Sequence, residues 1–293
     1  MTNTLNVGSD GMGSWGFGIV DPLLWHTFPH TQITHDPTRP SDLVVLSHFK
    51  TAEHIPFTCP YITWSGEAYR VSHRPAHSSP LLEINTAHHA GINNSLYFPH
   101  LITEVPNTQR PTPNCAKKWC AAYAFGHAVP QREHLFRSMR ARESTCYSFG
   151  RCSPTADSPF SLSRNDRAQN GKAFRAFGFV VAMENSVVPG YVTEKIGHAF
   201  NAGSVPIYWG DRAGVESFFN PDAFINVLDY PTIDKAAESI VEIWRDRQKL
   251  QKYLDVAEVG TPMLRDYEAI YTEYRPWMAP FVNRLREAFP DLH

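Results

Sequence analysis

Apolar and polar positions change texture along the chain. The first 112 residues carry long Pro, His, Thr and Ser stretches with little periodicity. Two short apolar runs interrupt them, Leu43-Val-Val-Leu46 and Pro60-Tyr-Ile-Thr-Trp64. Each is bounded by polar or turn residues and predicts a buried strand followed by a loop. Residues 106–114 hold three prolines and no core residue, which predicts a linker. Regular patterning follows. Trp119 to Phe125 predicts a strand. Pro130 to Arg142 predicts a helix, with proline at its start and Leu135, Phe136 and Met139 on one face. Phe177 to Ala182 is a continuous apolar strand. Glu194 to Ala202 predicts a helix capped by Thr193 and stopped by Gly203. Val205 to Trp209 and Phe224 to Leu228 predict two more strands. Asp234 to Val256 predicts one long amphipathic helix with a stripe of Ala237, Ile240, Val241, Trp244, Tyr253 and Leu254. Strands alternating with helices predict an α/β fold with parallel sheets, whose ligands sit at the carboxyl ends of strands.

The 293 residues suit two domains, and 42% hydrophobic against 19% charged residues excludes a disordered or fibrous chain. Lys and Arg total 27 against 29 Asp and Glu, for a net charge of −2, which argues against a duplex-coating protein. A local basic pocket for a small anion stays compatible with that balance. No apolar run approaches the ~20 residues of a membrane span. The N-terminus has neither a basic stretch nor an apolar core, so no signal peptide is predicted and a cytoplasmic location is expected, at most peripheral to a membrane. The five cysteines, 59, 115, 120, 146 and 152, match no zinc spacing and read as reduced thiols. His73 and His77 flank Arg74-Pro75, and His88, His89, His26, His30 and His35 show no metalloprotease spacing, so the histidines read as core or surface residues. No P-loop, dinucleotide fingerprint or nucleophile elbow is present.

The densest candidate chemistry lies in Met183-Glu-Asn-Ser-Val-Val-Pro-Gly-Tyr-Val-Thr-Glu-Lys195, which follows a strand and opens a helix. Orphan amides and the positive helix end favour an anion there. Lys195 places a cation where the dipole disfavours one unless something negative is near. A diphosphate would supply that, as would a solvated pairing with Glu194. Arg132 repeats the situation at the Pro130 helix, with Glu133 as the alternative partner. Glu67, in Thr63-Trp-Ser-Gly-Glu67 at a strand end, is a candidate general base, although a lone loop carboxylate is commonly a surface charge.

The run Phe177 to Ile196 resembles the signature of the α1,3/4-fucosyltransferases, glycosyltransferase family ten: an apolar strand, Glu-Asn, a spacer, then Tyr-Val-Thr-Glu-Lys. Ala202-Gly-Ser-Val-Pro-Ile-Tyr-Trp-Gly210 and Phe219-Asn-Pro-Asp-Ala-Phe-Ile-Asn226 continue the likeness, most similar to bacterial members. Trp119-Cys-Ala, Pro130-Gln-Arg132 and Phe149-Gly-Arg151 match loosely. Trp15-Gly16, Ser41-Asp-Leu-Val44 and Gly66-Glu67 match weakly. The resemblance implies two facing Rossmann-like domains, the GT-B architecture. Residues 1–112 would receive the acceptor and carry the base, residues 113–275 would bind GDP-fucose, and 276–293 would form a C-terminal helix, packing back on the first domain. It puts Glu67 at the catalytic base, Arg132 and Lys195 on the diphosphate, Glu194 on the ribose, and Asn185 and Tyr191 along the donor site. Glu184 and Arg151 are further candidates, and Glu83 is the reserve for the base.

The sequence departs from the family pattern at Ala68, where Gly-Glu-Asn is usual, at Met183, where Phe precedes Glu-Asn, and at Phe149, where Gly-Gly-Arg is usual. The expected reaction moves L-fucose from GDP-β-L-fucose, with inversion, to a hydroxyl of an N-acetylglucosamine-containing glycan such as N-acetyllactosamine, in α1,3 or α1,4 linkage. No cofactor is required by this reading, a divalent metal being at most stimulatory, and no nucleic-acid partner or integral membrane segment is expected. The alternatives are a GT-B transferase with another nucleotide-sugar donor and a non-catalytic sugar- or nucleotide-binding relative. Residues 276–293, with Arg284 and Arg286, predict no strong membrane docking.

Overall fold

The computed structural model describes residues 3–10, 17–47, 58–71, 79–104, 114–158, 172–256 and 262–292. Trp15-Gly16, His73, His77 and the prolines of the expected linker lie outside the described residues. In chain order the first strands and helix are β1 (Asn3–Asp10), α1 (Phe17–Thr27), β2 (Thr31–Thr34), β3 (Leu43–Ser47), β4 (Tyr61–Ser65), β5 (Leu82–Asn85) and β6 (Ser95–Tyr97). There follow β7 (Trp119–Tyr123), α2 (Pro130–Arg142), β8 (Cys146–Ser148), β9 (Phe177–Val181), α3 (Glu194–Asn201), β10 (Val205–Tyr208), α4 (Arg212–Phe218) and β11 (Ile225–Asn226). The helices α5 (Ile233–Arg245), α6 (Arg247–Asp255), α7 (Pro262–Glu268) and α8 (Ala279–Ala288) complete the chain.

Two compact units result. Unit 1 holds Met1–Thr103, Val188–Tyr191 and Leu264–His293, and unit 2 holds Glu104–Val187 and Val192–Met263. The chain therefore returns to unit 1 after Met263, ahead of the boundary expected at 275, and it also lends unit 1 four residues from the middle of the signature run.

Unit 1 is a six-stranded sheet in the order β2-β1-β3-β4-β5-β6, parallel throughout. The runs at Leu43 and Pro60 form β3 and β4 at its centre, where every residue is buried. A parallel sheet covered on both faces demands such unbroken apolar strands. Helix α8 packs against α1 and buries Phe281, Val282 and Leu285, and Phe289 meets the Phe28 ring edge-on at 6.2 Å.

Unit 2 is a five-stranded parallel sheet in the order β11-β10-β9-β7-β8. Its core joins Tyr123, Leu135, Phe136, Met139, Phe179, Ile207, Ile240 and Trp244. The expected single helix over 234–256 is instead two, α5 and α6. Asp246, with φ −100° and ψ 95°, breaks it, and the Asp246 carboxylate accepts from the amides of Gln248 and Lys249 to start α6. An Asx residue competes with helix continuation by offering that alternative bond. The strand expected over Phe224–Leu228 shortens to Ile225–Asn226, because the Asn226 side chain turns back to cap a 3₁₀ turn at Leu228.

Candidate functional site

The residues of the signature run divide between the two units. In unit 2 the carboxyl ends of β7 and β9 lead into α2 and toward α3. After β9 the backbone continues beside β10, with Ala182 N–H donating to Ile207 O at 2.8 Å and Glu184 N–H to Trp209 O at 2.7 Å. This extension turns the Glu184 side chain into the protein, where it is fully buried. Its carboxylate accepts from the Thr193 amide at 2.7 Å and from the Thr193 hydroxyl at 2.8 and 2.9 Å. Lys195 Nζ donates to the same carboxylate at 3.0 Å and to Thr193 Oγ1 at 2.7 Å. Gly210 makes room for this packing, since a Cβ there would lie 2.9 Å from Glu184 Cγ.

Thr193 was expected to cap α3 with its hydroxyl. It stands at the N-cap in extended conformation, yet its side chain makes no capping bond and serves Glu184 instead. Glu184 supplies an anion at this helix start, beside the Lys195 ammonium. Glu194 Oε1 lies farther off, 3.9 Å from Lys195 Nζ. Burial works against the Lys195 charge, but Glu184 and Glu194 outweigh it and hold the ammonium above its usual range. Burial likewise pushes the Glu184 carboxyl up, with Lys195 opposing.

Arg132 is fully buried in the first turn of α2. Its guanidinium lies 4.1 Å from the centre of the Phe125 ring, a cation–π contact, and Nη2 donates to Asn185 Oδ1. His127 Nε2 is 3.2 Å from the same oxygen. Glu133, the alternative partner for Arg132, accepts from the Tyr123 and Ser153 hydroxyls. Burial, and then Glu133, push the Tyr123 phenol far up. Arg132 is close enough to act against the charge on Lys195. Unit 2 thus assembles Arg132, Asn185, Glu184, Glu194 and Lys195 into one mixed-charge group. Arg151 is exposed over the β7–α2 loop, its Nη2 3.5 Å from where a Cβ on Gly126 would be.

In unit 1, Glu67 follows β4 in a turn. Its amide donates to Ser65 Oγ at 3.3 Å, and its Oε2 accepts from the Tyr191 hydroxyl at 2.9 Å. Tyr191 therefore sits in unit 1 with Glu67, apart in this partition from the other residues expected along the donor site. Glu83, the reserve base, is buried on β5 and gripped by Arg70, with Nε to Oε2 at 2.8 Å and Nη2 to Oε1 at 2.6 Å. That bidentate pairing commits both its oxygens to structure. His88, which the sequence presents as a core or surface histidine, holds the Tyr191 segment together with Tyr97 and Gly190, to which no motif pointed; the Pro189-Gly190 pair was the available turn signal. Among the described residues, no group of three or more His, Cys, Asp or Glu side chains is arranged to hold a metal ion, and no helix is long and apolar enough to cross a membrane.

Comparison with known proteins agrees with this architecture. An α1,3-fucosyltransferase solved with GDP superposes over 94% of this chain and 92% of its own, with a TM-score of 0.64 at 16% identity. One solved with GDP-fucose gives a TM-score of 0.63 at 15% identity, covering 94% and 93%. These likenesses show the fold, a two-unit Rossmann-like α/β protein. The family model for the C-terminal region of glycosyltransferase family 10 (fucosyltransferase) matches residues 114–279. The chain belongs to that family. The α-(1,3)-fucosyltransferase FucT of Helicobacter pylori is 42% identical over 64 residues, 22% of this chain and 13% of that protein. The 4-galactosyl-N-acetylglucosaminide 3-alpha-L-fucosyltransferase FUT6 of Pongo pygmaeus is 36% identical over 88 residues, 29% of this chain and 24% of that protein. The chain thus matches a quarter or less of the length of these relatives.

Proposed function

We propose that the chain is an inverting fucosyltransferase, moving L-fucose from GDP-β-L-fucose to a hydroxyl of an N-acetylglucosamine-containing glycan in α1,3 or α1,4 linkage. The observation that carries this reading is the pairing of Lys195 with buried Glu184 and Thr193 at the start of α3, with Arg132 and Asn185 beside it. Two fixed cations at two helix starts, after adjacent parallel strands, suit a diphosphate.

In the proposed reaction, Glu67 removes the proton from the acceptor hydroxyl. The freed oxygen attacks C1 of fucose opposite the GDP, the C1–O bond to the β-phosphate breaks, and GDP leaves with the electron pair. Arg132 and Lys195 stabilise the charge that develops on the phosphate. The Glu184 contact keeps the flexible Lys195 stem oriented before any donor arrives, so little is spent on ordering it during reaction. Glu194 takes the ribose and Asn185 lines the donor site in this reading. The fixed cations do the work of neutralisation, so the reading assigns no resident cofactor and leaves a divalent metal at most stimulatory.

Calorimetry with GDP, UDP and dTDP tests the donor. GDP should bind at least tenfold more tightly than the other two, and preference for UDP or dTDP would assign another nucleotide sugar.

A further inference from the structure

Glu67 is held through both its backbone and its side chain. Its backbone amide is fixed by Ser65 Oγ, and its carboxylate by the Tyr191 hydroxyl at 2.9 Å. What delivers that hydroxyl is a fastened turn. The Tyr191 amide donates to Val188 O at 3.0 Å, closing the turn. The His88 amide donates to Pro189 O at 2.8 Å, and Tyr97 Oη donates to Gly190 O at 2.9 Å. The His88 and Tyr97 rings stack at 4.0 Å and 29°. Gly190 has φ +77°, and a Cβ there would lie 2.5 Å from the His88 ring, so glycine is required both for the turn and for the approach. The Tyr191 side chain itself is buried.

We infer that Tyr191 is a positioning residue for the base Glu67, orienting its carboxylate through a turn clamped by His88 and Tyr97. The inference rests on the proposed reading of Glu67 as the base. A base works only when its oxygen is aimed at the proton it takes, and a rigid donor on the other oxygen sets that aim. The clamp also explains why Val188–Tyr191 joins unit 1 while Val192–Lys195 continues in unit 2. The same run of chain that carries the donor residues carries the phenol that holds the base.

The test compares wild type, Tyr191→Phe, Glu67→Gln and the double variant in the full chain, by transfer kinetics with GDP-fucose and N-acetyllactosamine and by GDP calorimetry. Tyr191→Phe should lower kcat on the order of 10-fold, a larger change than any in GDP affinity. In the Glu67→Gln background the same change should cost nothing further, since the group it positions is gone. Tyr97→Phe, which loosens the turn and keeps the phenol, should lower kcat in the same direction by less. Additive losses, or a Tyr191→Phe protein with normal kcat and weakened GDP binding, would overturn the positioning role and return Tyr191 to the donor. A wild-type chain with no transfer at all would remove the base reading and this inference together, whereas a turning-over wild type with additive losses removes the inference alone.

Discussion

The Glu184 carboxylate and the Lys195 ammonium are 3.0 Å apart at the start of α3, with Thr193 bonded to both. The pair settles a local conflict. A lysine in the first turn opposes the helix dipole, and desolvation opposes the charge of a buried glutamate. Each supplies the other's counter-charge, and the result is a cation held in place before any ligand binds.

Removing that cation should affect ligand and fold separately. Lys195→Ala is expected to weaken GDP binding by about 2 kcal/mol, the scale of a charge-assisted bond. Calorimetry at fixed salt measures it, and unchanged affinity would exclude Lys195 from the diphosphate site.

The pH dependence of stability follows from the same pair. The Lys195 ammonium is held above its ordinary value, which places its stabilising contribution below that value and removes it as pH rises through the raised one. The melting-temperature gap between wild type and Lys195→Met should stay level through neutral pH and narrow above about pH 10.5, the ordinary lysine range. The Glu184 carboxyl is also raised, so its protonated form favours the folded state. Lys195→Met, which leaves Glu184 without its cation, should regain stability as pH falls through the raised value of that carboxyl toward the ordinary glutamate range, as the buried group takes up its proton. Parallel melting curves at all pH values would contradict the pairing.

Two glutamates that sequence alone left in competition should separate cleanly. Glu67→Gln is expected to lower kcat by about 10²–10⁴ with GDP binding retained. Glu83 does structural work, so Arg70→Ala, which strands its buried carboxylate, should cost about 2 kcal/mol in denaturant unfolding. That is below the 3–5 kcal/mol of a fully buried pair, because Arg70 is 38% exposed. Kinetics and urea titration of the two variants measure both effects.

The break between α5 and α6 depends on one side chain. Asp246→Ala removes the acceptor for the Gln248 and Lys249 amides and should cost about 1 kcal/mol. A urea midpoint equal to wild type would show that the break has another cause.

What was legible in the sequence follows from where the partners lie. The runs at Leu43, Pro60 and Phe177 announced themselves because central parallel strands are apolar on both faces. Strands β2 and β6 did not, because they are short, partly exposed edges. Strand β5 reads Leu-Glu-Ile-Asn and is wholly buried, its polar residues satisfied by Arg70 and Ser95 at distances no local pattern reveals. Asp246 lies inside the amphipathic run whose pattern predicts one continuous helix. In the site, the misplaced charge of Lys195 was readable from helix electrostatics, while its counter-ion, eleven residues upstream, required the β9 extension to bring it inward. The bond from Tyr191 to Glu67 spans 124 residues and had no local signal.

Mass spectrometry of a reaction containing the chain, GDP-fucose and N-acetyllactosamine reads the transfer itself. The expected product is heavier by one deoxyhexose, formed by the wild type and lost with Glu67→Gln. An acceptor left unmodified by a folded chain that binds GDP, across a panel of N-acetylglucosamine-containing glycans, would contradict the proposed transfer.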